Sequence, residues 1–271
     1  MKSVTFVVSK GGVGKSLLTA NVGAALAQKG EKVVLVEGDP NSPLQKILGV
    51  NLSSGSVKLN EVIDQSISIE NAIYQTDYKN LFLIPTGVSL QSYFDLDPLA
   101  FAYKLSSLDT SFMFIDVPFP LGKAAFLSLG LSEYFIPILT EDEFVLCVES
   151  AIDTIRLGKY LLKSVPLGFV LNRIKTPAKF TKEFIKDLED LLEISCLTQI
   201  EEDPRVSKSY GEVGSGVSTS GKAFLAYTRN EGSIFSKSVR KLSNFLLGEL
   251  PQPEKDDVVK LLQILSRQSK S

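Results

Sequence analysis

The most constraining feature of this chain is a glycine cluster set between a short apolar segment and a helical one. Residues 3–8 (SVTFVV) are β-branched and apolar, which predicts a buried strand. Residues 15–29 carry Leu17, Leu18, Val22, Ala25 and Leu26 at helical spacing, and Gly30 stands where a C-cap is expected. Between them runs Lys10-Gly11-Gly12-Val13-Gly14-Lys15-Ser16. Without Cβ atoms, a glycine loop lets backbone N–H groups converge on an anion, and the helix that follows aims its N-terminal donors at the same point. The general phosphate-loop pattern GxxxxGK[ST] asks for glycine where Ser9 stands, so this is a variant loop with an additional lysine at its start. Lys15 is expected to touch the β- and γ-phosphates of a nucleotide, and the Ser16 hydroxyl to bind Mg²⁺.

The rest of the chain keeps the strand–helix alternation. Strands are predicted at 32–36, 81–84, 112–115, 134–138, 166–171 and 196–200. Helices are predicted from Ser42-Pro43 through Leu48, where Gly49 stops the first, and near 59–64, 69–75, 97–107, 122–131, 143–163 and 178–193. Continuous apolar strands alternating with amphipathic helices predict an α/β fold of three layers, a mostly parallel sheet with helices on both faces. A further amphipathic helix is predicted at 233–247, with Ile234, Phe235, Val239, Leu242, Phe245 and Leu246 on one side. The division expected is a nucleotide-binding domain over 1–249 and a C-terminal extension over 250–271. The extension opens with a proline-punctuated linker, LPQP at 250–253, and continues as an amphipathic helix.

Composition narrows the chemistry. The 271 residues contain no histidine, which removes Ser-His-Asp and Cys-His nucleophiles, HExxH zinc sites and imidazole proton shuttles. Catalysis must then run on carboxylates, Lys, Arg, hydroxyls, backbone dipoles or a bound metal. Cys147 and Cys196 form no CxxC pair and sit in apolar stretches, where buried small hydrophobes are expected. The formal net charge of −2 predicts no global attraction to nucleic acid or anionic lipid. The opening MKSVTFVVSKGG does not read as a signal peptide, and no clean apolar run reaches membrane-spanning length. The expected location is cytoplasmic, with peripheral association at a membrane or nucleoid left open.

Several separated segments resemble the MinD/ParA family of P-loop ATPases with a deviant Walker A loop. KGGVGKS is similar to that loop. Glu37-Gly38-Asp39-Pro40 is similar to the family's D-x-D segment, and Asp116-Val117-Pro118-Phe119-Pro120-Leu121-Gly122 to the ParA switch segment. Leu171-Asn172-Arg173 is similar to the LNR turn, and Glu202-Asp203-Pro204-Arg205-Val206 to the PEDPxV segment of MinD proteins. The resemblance covers about residues 1–230 and implies a Mg²⁺-dependent ATPase that dimerises face to face on ATP. It implies nucleotide contacts from Lys10, Gly11, Gly12, Val13, Gly14, Lys15, Ser16, Leu17, Asn172, Arg173 and Asp203, with Asn172 reading adenine. It gives Lys10 a role across the dimer on the partner's phosphates. Asp39 becomes the group that orients the attacking water, and Asp116, with Ser16, the metal site. Lys10, Lys15 and Asp39 are the implied catalytic residues.

Three departures bear on rate. Glu37 lengthens the first acid of D-x-D, Pro120 lacks an N–H for a γ-phosphate, and Glu201 stands where MinD proteins usually have proline. A slow, partner-stimulated ATPase is expected, with a nucleotide-gated binding module of little turnover as the alternative. Without a cysteine pattern for a cluster, the electron-transfer members are excluded, and a spatial regulator that positions or partitions cell machinery or DNA remains.

Its surface is open among alternatives. The apolar stripe on 254–268 fits a helix docked on its own domain or a dimer partner, a membrane surface, or an activating protein partner. Its acid-first, base-last charge order is also what helix-dipole stability alone selects. Lys179, Lys182 and Lys186 on one helix, and Lys237, Arg240 and Lys241 on another, fit either a solvated face or nonspecific DNA.

Overall fold

The computed structural model describes residues 1–7, 11–39, 42–64, 67–86, 98–116, 129–206 and 225–253. Among these, nine strands form one sheet: β1 (Lys2–Val7), β2 (Val33–Glu37), β3 (Tyr74–Gln75), β4 (Leu81–Ile84), β5 (Phe112–Asp116), β6 (Tyr134–Thr140), β7 (Val165–Pro166), β8 (Phe169–Ile174) and β9 (Cys196–Glu201). The order is β3-β4-β2-β5-β1-β6-β8-β9, with β7 also on β6. Every pairing is parallel except the edge pair β3–β4. The chain leaves β1 toward β2 on one side and later reaches β6 on the other. The carboxyl end of β1 therefore lies at a switch point, where open parallel sheets bind ligands.

Alternation along the strands splits the core into two faces. Val4, Phe6, Leu35, Phe114 and Ile136 face one layer, formed by α1 (Lys15–Gln28), α2 (Leu44–Leu48), α7 (Ala226–Arg229) and α8 (Ile234–Leu247). On the opposite face, Val34, Val36, Met113 and Ile115 pack under α3 (Leu59–Asp64) and α4 (Pro98–Ser106). Phe135, Leu139, Phe169 and Leu171 pack there under α5 (Phe144–Arg156) and α6 (Lys182–Leu192). This is the expected three-layer α/β architecture with a mostly parallel sheet.

Helix α1 is buried on nearly all sides because it lies between the sheet and α8. Gly23 permits that approach, since a Cβ there would stand 2.8 Å from Leu35 Cδ2. Asn21 fits a polar group into this layer. Its Oδ1 accepts from Tyr227 N at 2.8 Å and its Nδ2 donates to Leu17 O at 2.7 Å.

Several boundaries differ from expectation. The helix predicted at 69–75 is a 3₁₀ turn over Ile69–Ala72 followed by β3, because the open edge of β4 offers ladder hydrogen bonds to Tyr74 and Gln75. The strand predicted at 166–171 breaks into β7 and β8 around Gly168, whose φ of 138° and closeness to Ser195 O exclude a side chain. The helix predicted at 143–163 ends in a π turn over Leu157–Leu161. The one predicted at 178–193 starts at Lys182, capped by Thr181 Oγ1 accepting from Phe184 N at 3.2 Å. Of the predicted 122–131 helix, only its end at 129–131 lies among the described residues.

On α8, Phe235, Val239, Leu242 and Leu246 are buried as expected, whereas Ile234 and Phe245 stay partly exposed. Cys147 is buried, and Cys196 is half-buried with its thiol pushed up to about 11, chiefly by burial. The first residues of the predicted linker pack on the rest of the fold: Leu250 is buried, and Tyr134 Oη donates to Pro251 O at 2.9 Å. Among the described residues, no helix is long and apolar enough to cross a membrane.

Candidate functional site

The carboxyl ends of β1, β2, β5, β8 and β9 bring the expected site residues to one edge of the sheet. Gly12 and Gly14 adopt left-handed backbone, at φ 79° and 96°, which only glycine accepts without strain. Gly14 is the N-cap of α1, and its backbone cap carries no side-chain hydrogen bond, an arrangement that suits an anion at a helix N-terminus. A Cβ at Gly14 would stand 2.7 Å from Asn172 Nδ2. Lys15, Ser16 and Leu17 form the first turn of α1.

Asp116 ends β5 and is buried. Its Oδ2 accepts from Ser16 Oγ at 2.6 Å and from Ser42 Oγ at 2.7 Å, while its Oδ1 has no partner among the described residues. Burial pushes its carboxyl above the usual carboxylate range; the two serine hydroxyls and the Lys15 charge oppose that shift, and Asp39 adds to it. A buried carboxylate oxygen with no donor is costly unless something comes to it. A hydroxyl beside a carboxylate with a vacant oxygen suits Mg²⁺, which keeps several waters and takes one or two protein oxygens plus phosphates.

Glu37, the lengthened first acid, is opposite Asp116 in the β2–β5 register. Its extra methylene carries the carboxylate to α2, where Oε1 accepts from Gln45 N at 3.2 Å and Oε2 from Gln45 Nε2 at 2.7 Å. Burial raises its pKa to about 7, against the pull of those bonds. Asp39 follows at the end of the strand, with its carbonyl accepting from Ser42 N at 2.9 Å. Lys10, Pro118, Pro120 and Gly122 lie outside the described residues.

A cleft of about 260 Å³ opens beside the loop, lined by Gly12, Gly14, Lys15, Ser16, Leu17, Asn172, Arg173, Asp203 and, more apolar, Ile200, Val206 and Phe235. Asn172, expected at the base, is buried and donates Nδ2 to Val13 O at 2.7 Å, so its donor half braces the loop. Arg173, at φ 56°, donates Nη1 to Gly12 O at 3.0 Å and pairs with Glu202. Asp203 is engaged by Arg205 through Nε at 3.0 Å and Nη2 at 2.9 Å, which lowers its pKa. Two contributors escape a sequence reading: Ser42, which reads there only as a helix cap, and Phe235, which reads as one more residue of an apolar stripe. Only the α8 crossing puts Phe235 in the cleft.

A parallel sheet with a glycine loop at its switch point, followed by a helix whose first turn holds Lys15 and Ser16 beside a strand-end aspartate, defines a P-loop nucleotide-binding protein. Residues 4–213 match the model of the CobQ/CobB/MinD/ParA nucleotide binding domain, and the chain belongs to that family. It is 33% identical to an ATP-binding protein of Methanocaldococcus jannaschii over 97% of this chain and 94% of that one. The cell division ATPase MinD of Pyrococcus furiosus is similar in structure, with TM-score 0.72 and 28% identity over 91% of this chain and 98% of that one. The septum site-determining protein MinD of Pyrococcus horikoshii, solved with Mg-ADP, has TM-score 0.70 and 26% identity over 90% of this chain and 95% of that one.

Proposed function

We propose that this chain binds ATP with Mg²⁺, hydrolyses it slowly, and dimerises face to face in the ATP state as a spatial regulator of positioning or partitioning. The observation that carries the reading is the Ser16–Asp116 pair with its vacant Oδ1 beside the uncapped start of α1. The Gly11–Gly14 loop and the α1 N-terminus would hold the phosphates, with Lys15 on the β- and γ-oxygens. Ser16 would ligate the metal directly and Asp116 Oδ1 would accept from a metal-bound water. Bound Mg²⁺ would supply charge neutralisation on the transferring phosphate. Asp39 would hold one proton of the attacking water, a task a carboxylate performs without histidine. Lys10 of each protomer would neutralise charge on the partner's nucleotide.

Support for the cellular role comes from the archaeal relatives, whose names are those of cell-division and septum-site proteins. The activating partner and the surface remain those the sequence leaves open, and 254–268 lies outside the described residues. For nonspecific DNA, the cluster expected from Lys179, Lys182 and Lys186 is weakened because Lys179 stands in a 3₁₀ turn before α6 and pairs with Glu141 Oε1 at 3.0 Å.

Oligomeric state tests the reading. Light scattering with Mg-ATP should give a dimer for Asp39→Ala, a monomer for the wild type in ADP, and a monomer for Lys10→Ala in either nucleotide. A monomer for Asp39→Ala at saturating Mg-ATP refutes ATP-gated dimerisation.

A second reading, a nucleotide-gated module with little turnover, is favoured by the engagement of Glu37 with Gln45, which commits the first acid's carboxylate to α2. Single-turnover hydrolysis with tightly bound ATP separates the two.

A further inference from the structure

Gly38 and Ser42, on either side of Asp39, are both tied to Asp116, one through backbone and one through its side chain. Upstream, Glu37 holds Gln45 through both carboxylate oxygens, and Gly38 N donates to Asp116 O at 2.9 Å. Downstream, Ser42 Oγ donates to Asp116 Oδ2 at 2.7 Å while accepting from Leu44 N at 3.2 Å. Ser42 therefore stands between the first turn of α2 and the carboxylate that Ser16 also holds.

The geometry points to Ser42 as a positioning residue for the metal site: it fixes the rotamer of Asp116 and ties the Asp39 segment to it. A carboxylate oxygen has two lone-pair directions. On Oδ2 the two are taken by Ser16 at 2.6 Å and Ser42 at 2.7 Å. That leaves Oδ1, buried and without a donor among the described residues, as the oxygen that would meet a metal-bound water. With one serine alone, the plane of the carboxylate is held by a single hydrogen bond and can swing about Cβ–Cγ. Two donors from different segments on one oxygen fix that torsion and with it the direction of the other oxygen. Ser42 acts through Asp116, as outer-shell groups do. It also links two parts of the site, since Ser42 N donates to Asp39 O at 2.9 Å while Ser42 Oγ donates to Asp116.

This inference rests on the Mg-ATP reading above, and the test separates the two. Binding of a fluorescent ATP analogue to the full chain is titrated with Mg²⁺ and repeated in EDTA, for wild type, Ser42→Ala, Ser42→Cys and Ser42→Thr. Ser42→Ala and the nearly isosteric Ser42→Cys should raise the Mg²⁺ concentration at half-effect by roughly 10-fold or more, the usual cost of removing an outer-shell partner. Affinity in EDTA should be unchanged, and Ser42→Thr should restore the wild-type titration. Loss of the α2 cap alone would lower the thermal midpoint and leave the Mg²⁺ titration in place. A Mg²⁺ titration unchanged in both the alanine and cysteine variants, or equal losses with and without Mg²⁺, overturns the role of Ser42. A wild type that binds the analogue with no Mg²⁺ dependence overturns the metal-site reading and this inference with it.

Discussion

Replacing Glu37 by Gln should stabilise the protein above neutral pH and remove a pH dependence the wild type carries. Glu37 has 1% of its surface exposed, and burial is the largest cause of a pKa raised from 4.5 to about 7. The folded state therefore holds this proton over a range where the unfolded chain has already released it. Stability is then unaffected below about pH 4.5, falls as pH rises between 4.5 and 7, and levels off above. A shift of that size, at 1.36 kcal/mol per unit, corresponds to about 3 kcal/mol lost by the wild type at high pH. Glutamine has nearly the same shape, can rotate to present its oxygen to Gln45, and carries no charge to desolvate. Urea unfolding of both proteins from pH 4 to 8.5 measures it. The difference should be near zero at the acid end and grow to between 1 and about 3 kcal/mol above pH 7, since one of the two Gln45 contacts weakens. A difference independent of pH, or a variant less stable above pH 7, refutes the claim that desolvation dominates at this position.

Other expectations follow from the same geometry. Gly14→Ala forces a Cβ to within 2.7 Å of Asn172 Nδ2 at φ 96°, so isothermal titration should show ATP affinity falling by at least roughly 10-fold, with at least about 1 kcal/mol of strain. Asn21→Ala leaves the buried Tyr227 N–H without its acceptor and opens a small void under α7, which should lower stability by about 2–3 kcal/mol in urea melts with nucleotide chemistry intact. Asn172→Ala removes the brace on Val13 O, and hydrogen exchange of the loop amides should accelerate in the absence of nucleotide.

Lys15 and the loop glycines, the acid after β2 and the acid ending β5 are legible in the sequence because backbone conformation and strand register alone put them at one sheet edge. The switch point is legible in outline, since alternation with crossover helices dictates a parallel sheet. Edges and breaks are less so. Tyr74 and Gln75 have helical neighbours in sequence and become a strand because β4 has an unpaired edge. Gly168 reads as an ordinary strand glycine until Ser195 O is seen where its side chain would be.

By itself, then, the sequence determined the three-layer class, the phosphate loop and the family, because short-range pattern and glycine chemistry carry those. Only the tertiary structure decided how the carboxylates divide their work. Glu37, one methylene longer than aspartate, is turned onto Gln45, and Asp116 is locked by two serines from different segments. It likewise decided that Asn172 holds the loop and that α8 brings Phe235 to the cleft. Such assignments depend on distances between residues far apart in the chain, set by how α1, α2 and α8 pack on the sheet, and no local pattern encodes them.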